Sequence, residues 1–171
     1  MRLIPAALAL ALFSGCLVAQ PYEEERPEDP FANDPPRILS RRPSTSVIRT
    51  QGGCQPLRLE IPTIRDLDPD DQLEVRWFIN YEEPGNQKPD RTKIIPAGFR
   101  LQEGIRSPAG DEYALKLNLY RGKVVVVEAV VSDGFDPDTE EAPAWRAVRK
   151  GKDFDQASWT IYVEDVAECL Q

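Results

Sequence analysis

From Gly52 onward, apolar residues return at every second position, and this period limits the chain to strands half-buried on one face. Leu57, Leu59 and Ile61 alternate with polar residues. Leu73, Val75, Trp77, Ile79 and Tyr81 do so over a longer run. Tyr113, Leu115, Leu117 and Leu119 make a third set, although Tyr113–Tyr120 also fits a short helix. Val125, Val127, Ala129 and Val131 lie in a continuous apolar run, the mark of a central strand. Trp159, Ile161 and Val163 make a fifth set, and Lys93–Ile95, Gly98–Leu101 and Ile64–Leu67 are weaker strand candidates. Clusters of Pro, Gly and Asp separate the runs, and no segment keeps a long 3.6-residue period. The fold class expected is all-β: an antiparallel sandwich of about seven strands over residues 52–171. Trp77 and Trp159 fall on alternating positions and belong to its core.

The chain before Gly52 has a different composition. Arg2 precedes an apolar stretch of 11 residues, Leu3 to Phe13. A membrane-spanning helix needs about 20 apolar residues, so this stretch has the length of a signal-peptide core. Residues 17–51 carry Pro21, Pro27, Pro30, Pro35, Pro36 and Pro43. They turn from acidic (Glu23, Glu24, Glu25) to basic (Arg37, Arg41, Arg42, Arg49). Such a segment has little apolar surface to bury and reads as an extended tether, although a charge-sorted, proline-rich tether also suits docking on a partner. The division expected is a signal peptide at 1–15, a tether at 16–51 and a sandwich at 52–171.

Phe13-Ser14-Gly15-Cys16 resembles the lipobox of bacterial lipoproteins. The small-small-Cys ending matches, whereas Phe13 stands where the family prefers Leu. The resemblance implies cleavage before Cys16 and acylation of that residue, which anchors the mature chain to a membrane. Leu17 after the Cys, where retention signals are acidic, implies the outer membrane. An ordinary secretory signal cut after Ala19 is the alternative, with Leu17 standing where that peptidase wants a small residue. Either route exports the chain to a compartment where disulfides persist, so Cys54 and Cys169 are expected to pair.

A second resemblance covers about residues 56–164. Asp66-Leu67-Asp68-Pro69-Asp70-Asp71-Gln72-Leu73-Glu74-Val75-Arg76-Trp77 is similar to the turn and Trp-bearing strand of bacterial Ig-like domains of the PKD and cadherin-like type. Val127-Glu128-Ala129-Val130-Val131-Ser132-Asp133-Gly134 is similar to their penultimate strand, and Ser158-Trp159-Thr160-Ile161-Tyr162-Val163 to their last. The Cys pair lies outside the first and last strands, so it would act as a terminal staple and not as the inter-sheet bridge of antibody domains.

Several chemistries are excluded by residue type. The chain has no His, which removes Ser-His-Asp and Cys-His catalysis and the commonest transition-metal ligand. Its net charge of −8, with no basic patch, makes it a poor nucleic-acid binder. Two acidic loops stand out, one with Asp66, Asp68, Asp70 and Asp71, the other with Asp133, Asp136 and Asp138. At one pole of a sandwich such loops suit Ca²⁺, while Asp-Pro and Asp-Gly also make ordinary turns, which is the reading preferred; no other cofactor is implied. The second loop is long, 22 residues from Phe135 to Gln156. It holds Trp145, Arg146 and Arg149, a composition suited to contact with a partner or, for Trp145, to packing back over the sheet edge. The function expected is that of a non-catalytic lipoprotein, anchored by its acyl chains and serving as an accessory or protein-interaction subunit of a cell-envelope assembly. The alternative is an adhesin-like or glycan-binding module, aided or not by Ca²⁺.

Overall fold

Nine strands and two short 3-10 turns make up the regular structure of the computed structural model, which describes residues 33–53, 55–98, 104–108, 112–136 and 144–165. One sheet is built on β3 (Leu57–Arg65). The strand β1 (Arg37–Arg42) pairs with one of its edges. On the other edge, β7 (Glu112–Leu115) pairs with Leu57–Glu60 and β6 (Ile105–Arg106) with Ile64–Arg65. The second sheet runs in the order β2 (Val47–Gln51), β9 (Phe154–Glu164), β8 (Val124–Ser132), β4 (Leu73–Ile79), β5 (Arg91–Ile95). All pairs are antiparallel except β2 with β9, which is parallel.

The period-two positions meet between the sheets. Leu59, Ile61 and Ile64 of β3, with Tyr113 and Leu115 of β7, face Leu73, Val75 and Trp77 of β4. Val125, Val127, Ala129 and Val131 of β8, with Trp159, Ile161 and Val163 of β9, complete the layer. An aromatic column crosses it. The rings of Trp77 and Tyr113 stack at 5.2 Å and 17°, and those of Trp77 and Trp159 at 5.9 Å and 14°. Both ends of the column are tied. Tyr113 donates its hydroxyl to Asp90 Oδ2 at 2.6 Å, and Trp159 donates Nε1–H to the Pro43 carbonyl at 2.9 Å. Buried aromatic polar atoms need such partners.

The segment expected as tether is, from Asn33 on, part of the sandwich. Ile38 and Ile48 pack on the core, and the chain passes from the first sheet to the second at Arg42–Pro43, a cis peptide bond. Proline is tolerated there because the position needs no ladder donor. Arg41 reaches across the gap, donating Nη1–H to the Ser158 carbonyl at 3.1 Å with its guanidinium 5.8 Å from the Trp159 ring. Two strands therefore add to the seven expected. Other runs shift as well. The third set is strand only to Leu115, after which Leu117–Tyr120 turns as a 3-10 segment that buries Leu117 and leaves Leu119 exposed. Ile64 and Arg65 are the end of β3, continuous through Pro62, not a separate strand. Gly98 lies in a turn with φ of 75°, while 99–103 fall outside the described residues.

These contacts give a direct expectation. A chain beginning at Gly52 loses β1, β2 and the Trp159 acceptor, and should melt at least about 10 °C below one beginning at Asn33 by circular dichroism, since a loss of 1 kcal/mol moves Tm by about 4–8 °C in small domains.

Candidate functional site

Two surfaces are built from the residues singled out in the sequence. The first is the outer face of the second sheet. Phe78 on β4 and Val130 on β8 point away from the main core yet are fully buried, because the long loop after β8 folds back over them. Phe135 and Val148 form an antiparallel bridge; Asp136 donates N–H to the Ala147 carbonyl and Arg149 to the Gly134 carbonyl, both at 2.9 Å. Phe78, Tyr81, Val130 and Phe135 thus make a second, smaller core, against which Trp145 and Val148 pack.

Three cations hold this layer. The Arg76 guanidinium lies 4.0 Å from the Phe135 ring centre and donates Nη1–H to the Trp145 carbonyl at 2.6 Å. Arg146 lies 3.7 Å from the Tyr81 ring centre and 5.0 Å from that of Phe78, and is ion-paired with Glu128. Lys88 approaches Trp145 at 5.7 Å. Each cation–π contact contributes about 0.5–2 kcal/mol according to how far it is desolvated. Of the three residues expected to meet a partner, Trp145 and Arg146 are half-buried in their own domain, and Arg149 is exposed beside Lys150.

The second surface is the acidic pole, where the β3–β4 link and the end of β8 come together as expected. The protein's own cations stand among the carboxylates. Arg106, fully buried, pairs with the Asp66 carboxylate and donates to the carbonyls of Asp68 and Asp71. Gly104 makes this approach feasible: its φ is 75°, and a Cβ there would fall 2.6 Å from the Asp66 carbonyl oxygen. Lys152 donates to Asp71 Oδ2 and Asn33 Oδ1, each at 2.8 Å, and lies 3.3 Å from Asp133 Oδ2. Asp68 accepts the Asp34 N–H at 2.8 Å. Asp70 is exposed and Asp136 half-buried. Among the described residues, no three acidic side chains are placed to hold a metal ion. Asp138, Cys16, Cys54 and Cys169 lie outside the described residues.

Burial raises the Asp66 carboxyl above its ordinary range, against the opposing charge of Arg106. Burial alone would lower the Lys152 amine, but its hydrogen bond to Asp71 and the charges of Asp133 and Asp71 outweigh this and raise it. Burial, with the Asp90 hydrogen bond, raises the Tyr113 hydroxyl strongly. Sequence reasoning missed Arg106 and Arg76 as organisers.

No helix among the described residues is long and apolar enough to cross a membrane. Comparison with known protein-family models and with curated proteins finds no match to this chain. The class is thus defined by the fold: a two-sheet, mainly antiparallel β-sandwich on whose outer face the described residues of the Phe135–Gln156 loop are packed.

Two outcomes follow. Arg106→Met leaves the Asp66 carboxylate buried without its cation and should destabilise the fold by about 3–5 kcal/mol in urea denaturation. Tyr113 and Lys152 both have folded pKa values raised above their unfolded ones, near 10.0 and 10.5. Their contribution to stability is present in full below those values and is lost as pH rises past them. Unfolding free energy should therefore fall above about pH 10, and Tyr113→Phe should make that fall shallower.

Proposed function

We propose that this chain is a membrane-anchored, non-catalytic interaction module of the bacterial cell envelope, held by acyl chains on Cys16 and carrying an Ig-like sandwich of the PKD and cadherin-like type. The observation that carries this reading is the fixed outer layer of the long loop. Loops of this length in a compact domain are commonly functional, and one tied down by Arg76 and Arg146 presents its exposed residues, Arg149 and Lys150, without an ordering cost on binding. Trp145 and Arg146 shape that surface from beneath; Arg149 is the residue that reaches a partner. Because the sandwich begins by Asn33, only 16 residues, 17–32, separate it from Cys16. Fully extended they span at most about 55 Å, so the partner is expected near the same membrane, and the outer membrane is the one implied by Leu17.

A disulfide between Cys54 and Cys169 belongs to the same reading. Gly52 donates its N–H to the Glu164 carbonyl at 3.0 Å. The chain segments leading to the two cysteines therefore set out from one place. A bridge closing so long a loop stabilises by about 4–5 kcal/mol in the chain-entropy model.

Fractionation and mild-detergent co-purification test the proposal. Cys16→Ser should move the protein from the membrane to the soluble fraction. Arg149→Glu should keep the chain folded and anchored but remove a stoichiometric envelope protein that co-purifies with the unaltered chain. Retention of Cys16→Ser in the membrane fraction would overturn the anchor, and unchanged co-purification with Arg149→Glu would overturn the contact surface. Cys54→Ser should leave membrane attachment intact while lowering the unfolding free energy by a few kcal/mol.

A further inference from the structure

The pole opposite the acidic one carries a groove of about 450 Å³. It lies between the end of β4, the turn that follows it, and the Tyr120–Val124 link into β8. Its volume is that of a small-molecule site. Its polar groups are already fixed. Asn80, at φ of 48°, extends the β4–β8 ladder by donating N–H to the Val126 carbonyl and accepting the Val126 N–H on Oδ1, both at 2.8 Å. Its Nδ2 then donates to Glu83 Oε1 at 3.0 Å, and Asn86 Nδ2 donates to Glu83 Oε2 at 3.2 Å. Asp90 is held through Oδ2 by Tyr113, the end of the core column. Two carboxylates therefore stand in set positions, one of them braced by the core.

The rest of the lining is apolar or cationic. Tyr120, half-buried, adds a ring, with Ile79, Pro89 and Val124 beside it. No hydrogen bond joins the Tyr120 hydroxyl to another described residue, and burial with the nearby charges of Asp90 and Glu83 raises its pKa. Lys88 and Lys123 balance Glu83 and Asp90, so the groove has no net charge. This composition selects by exclusion. A small ion of either sign meets two carboxylates and two lysines and gains no net attraction, and an apolar ligand would cover those charged groups at a desolvation cost. A neutral polyhydroxylated ligand satisfies both halves, laying a C–H face on the Tyr120 ring while its hydroxyls donate to Glu83 and Asp90. We infer that this groove binds a short segment of neutral glycan. The inference depends on neither the anchor nor the protein partner proposed above, and its test reads neither.

Titration of the full Cys16→Ser chain with chitotetraose and, separately, maltotetraose tests it, reading backbone amide shifts by NMR and affinity by calorimetry. At least one of the two should give saturable shifts confined to Asn80–Asp90 and Tyr120–Val124. Tyr120→Ala should weaken that binding by about tenfold or more, the scale of a lost aromatic contact, and Tyr120→Phe by less. Asn86→Leu, an exposed change that frees Glu83, should weaken it several-fold and serves if Tyr120→Ala unfolds. Absence of saturable binding by either sugar, shifts elsewhere on the domain, or full affinity in folded Tyr120→Ala and Asn86→Leu would each overturn the inference.

Discussion

The stack of Tyr113, Trp77 and Trp159 is the contact on which the other features depend. It joins β7 of one sheet to β4 and β9 of the other at ring separations of 5.2 and 5.9 Å. Its polar ends reach outward in opposite directions. Through Trp159 Nε1 it fixes the Pro43 carbonyl, the point where the first strand leaves one sheet for the other. Through the Tyr113 hydroxyl it fixes Asp90, at the start of β5 and on the wall of the distal groove. A core contact thus sets the geometry of the surface at two distant places, which follows from close packing: interiors transmit position because they have little room to relax.

Outside that core the domain is organised by cations. Arg106 and Lys152 order the acidic pole, and Arg76 and Arg146 hold the long loop against β4 and β8. Each uses planar or multivalent donor geometry to tie loop backbone or carboxylates to the sheets. An acidic chain can therefore carry dense clusters of Asp at its turns without leaving them as uncompensated charge. Loops tied in this way bind with little further loss of freedom.

The sequence made the main sheet legible because the alternation in Leu73–Ile79, Val124–Ser132 and Trp159–Val163 is long and apolar on the inward face. It hid β1 and β2 because edge strands half-exposed to water need few apolar residues. Ile38 and Ile48 were outweighed there by four arginines and Pro43. The burial of Phe78 and Val130 on the outward face was also hidden, since period-two reasoning assigns that face to solvent. The meeting of the two acidic loops was read correctly from strand order. Their counter-ions were not, since Arg106 sits on a two-residue strand 40 positions from Asp66, a pairing set by tertiary approach and marked by no local pattern.

Native-state hydrogen exchange of the full chain is the most direct test of the claim that the segment from Asn33 and the long loop are integral parts of the sandwich. The account predicts that the ladder amides of Arg37–Arg42 and Val47–Gln51, with those of Asp136 and Arg149, exchange far more slowly than exposed turn amides such as Glu82, through openings that disrupt the sheets. Exchange of those amides at the rate of unstructured chain, while β8 and β9 stay protected, would contradict it.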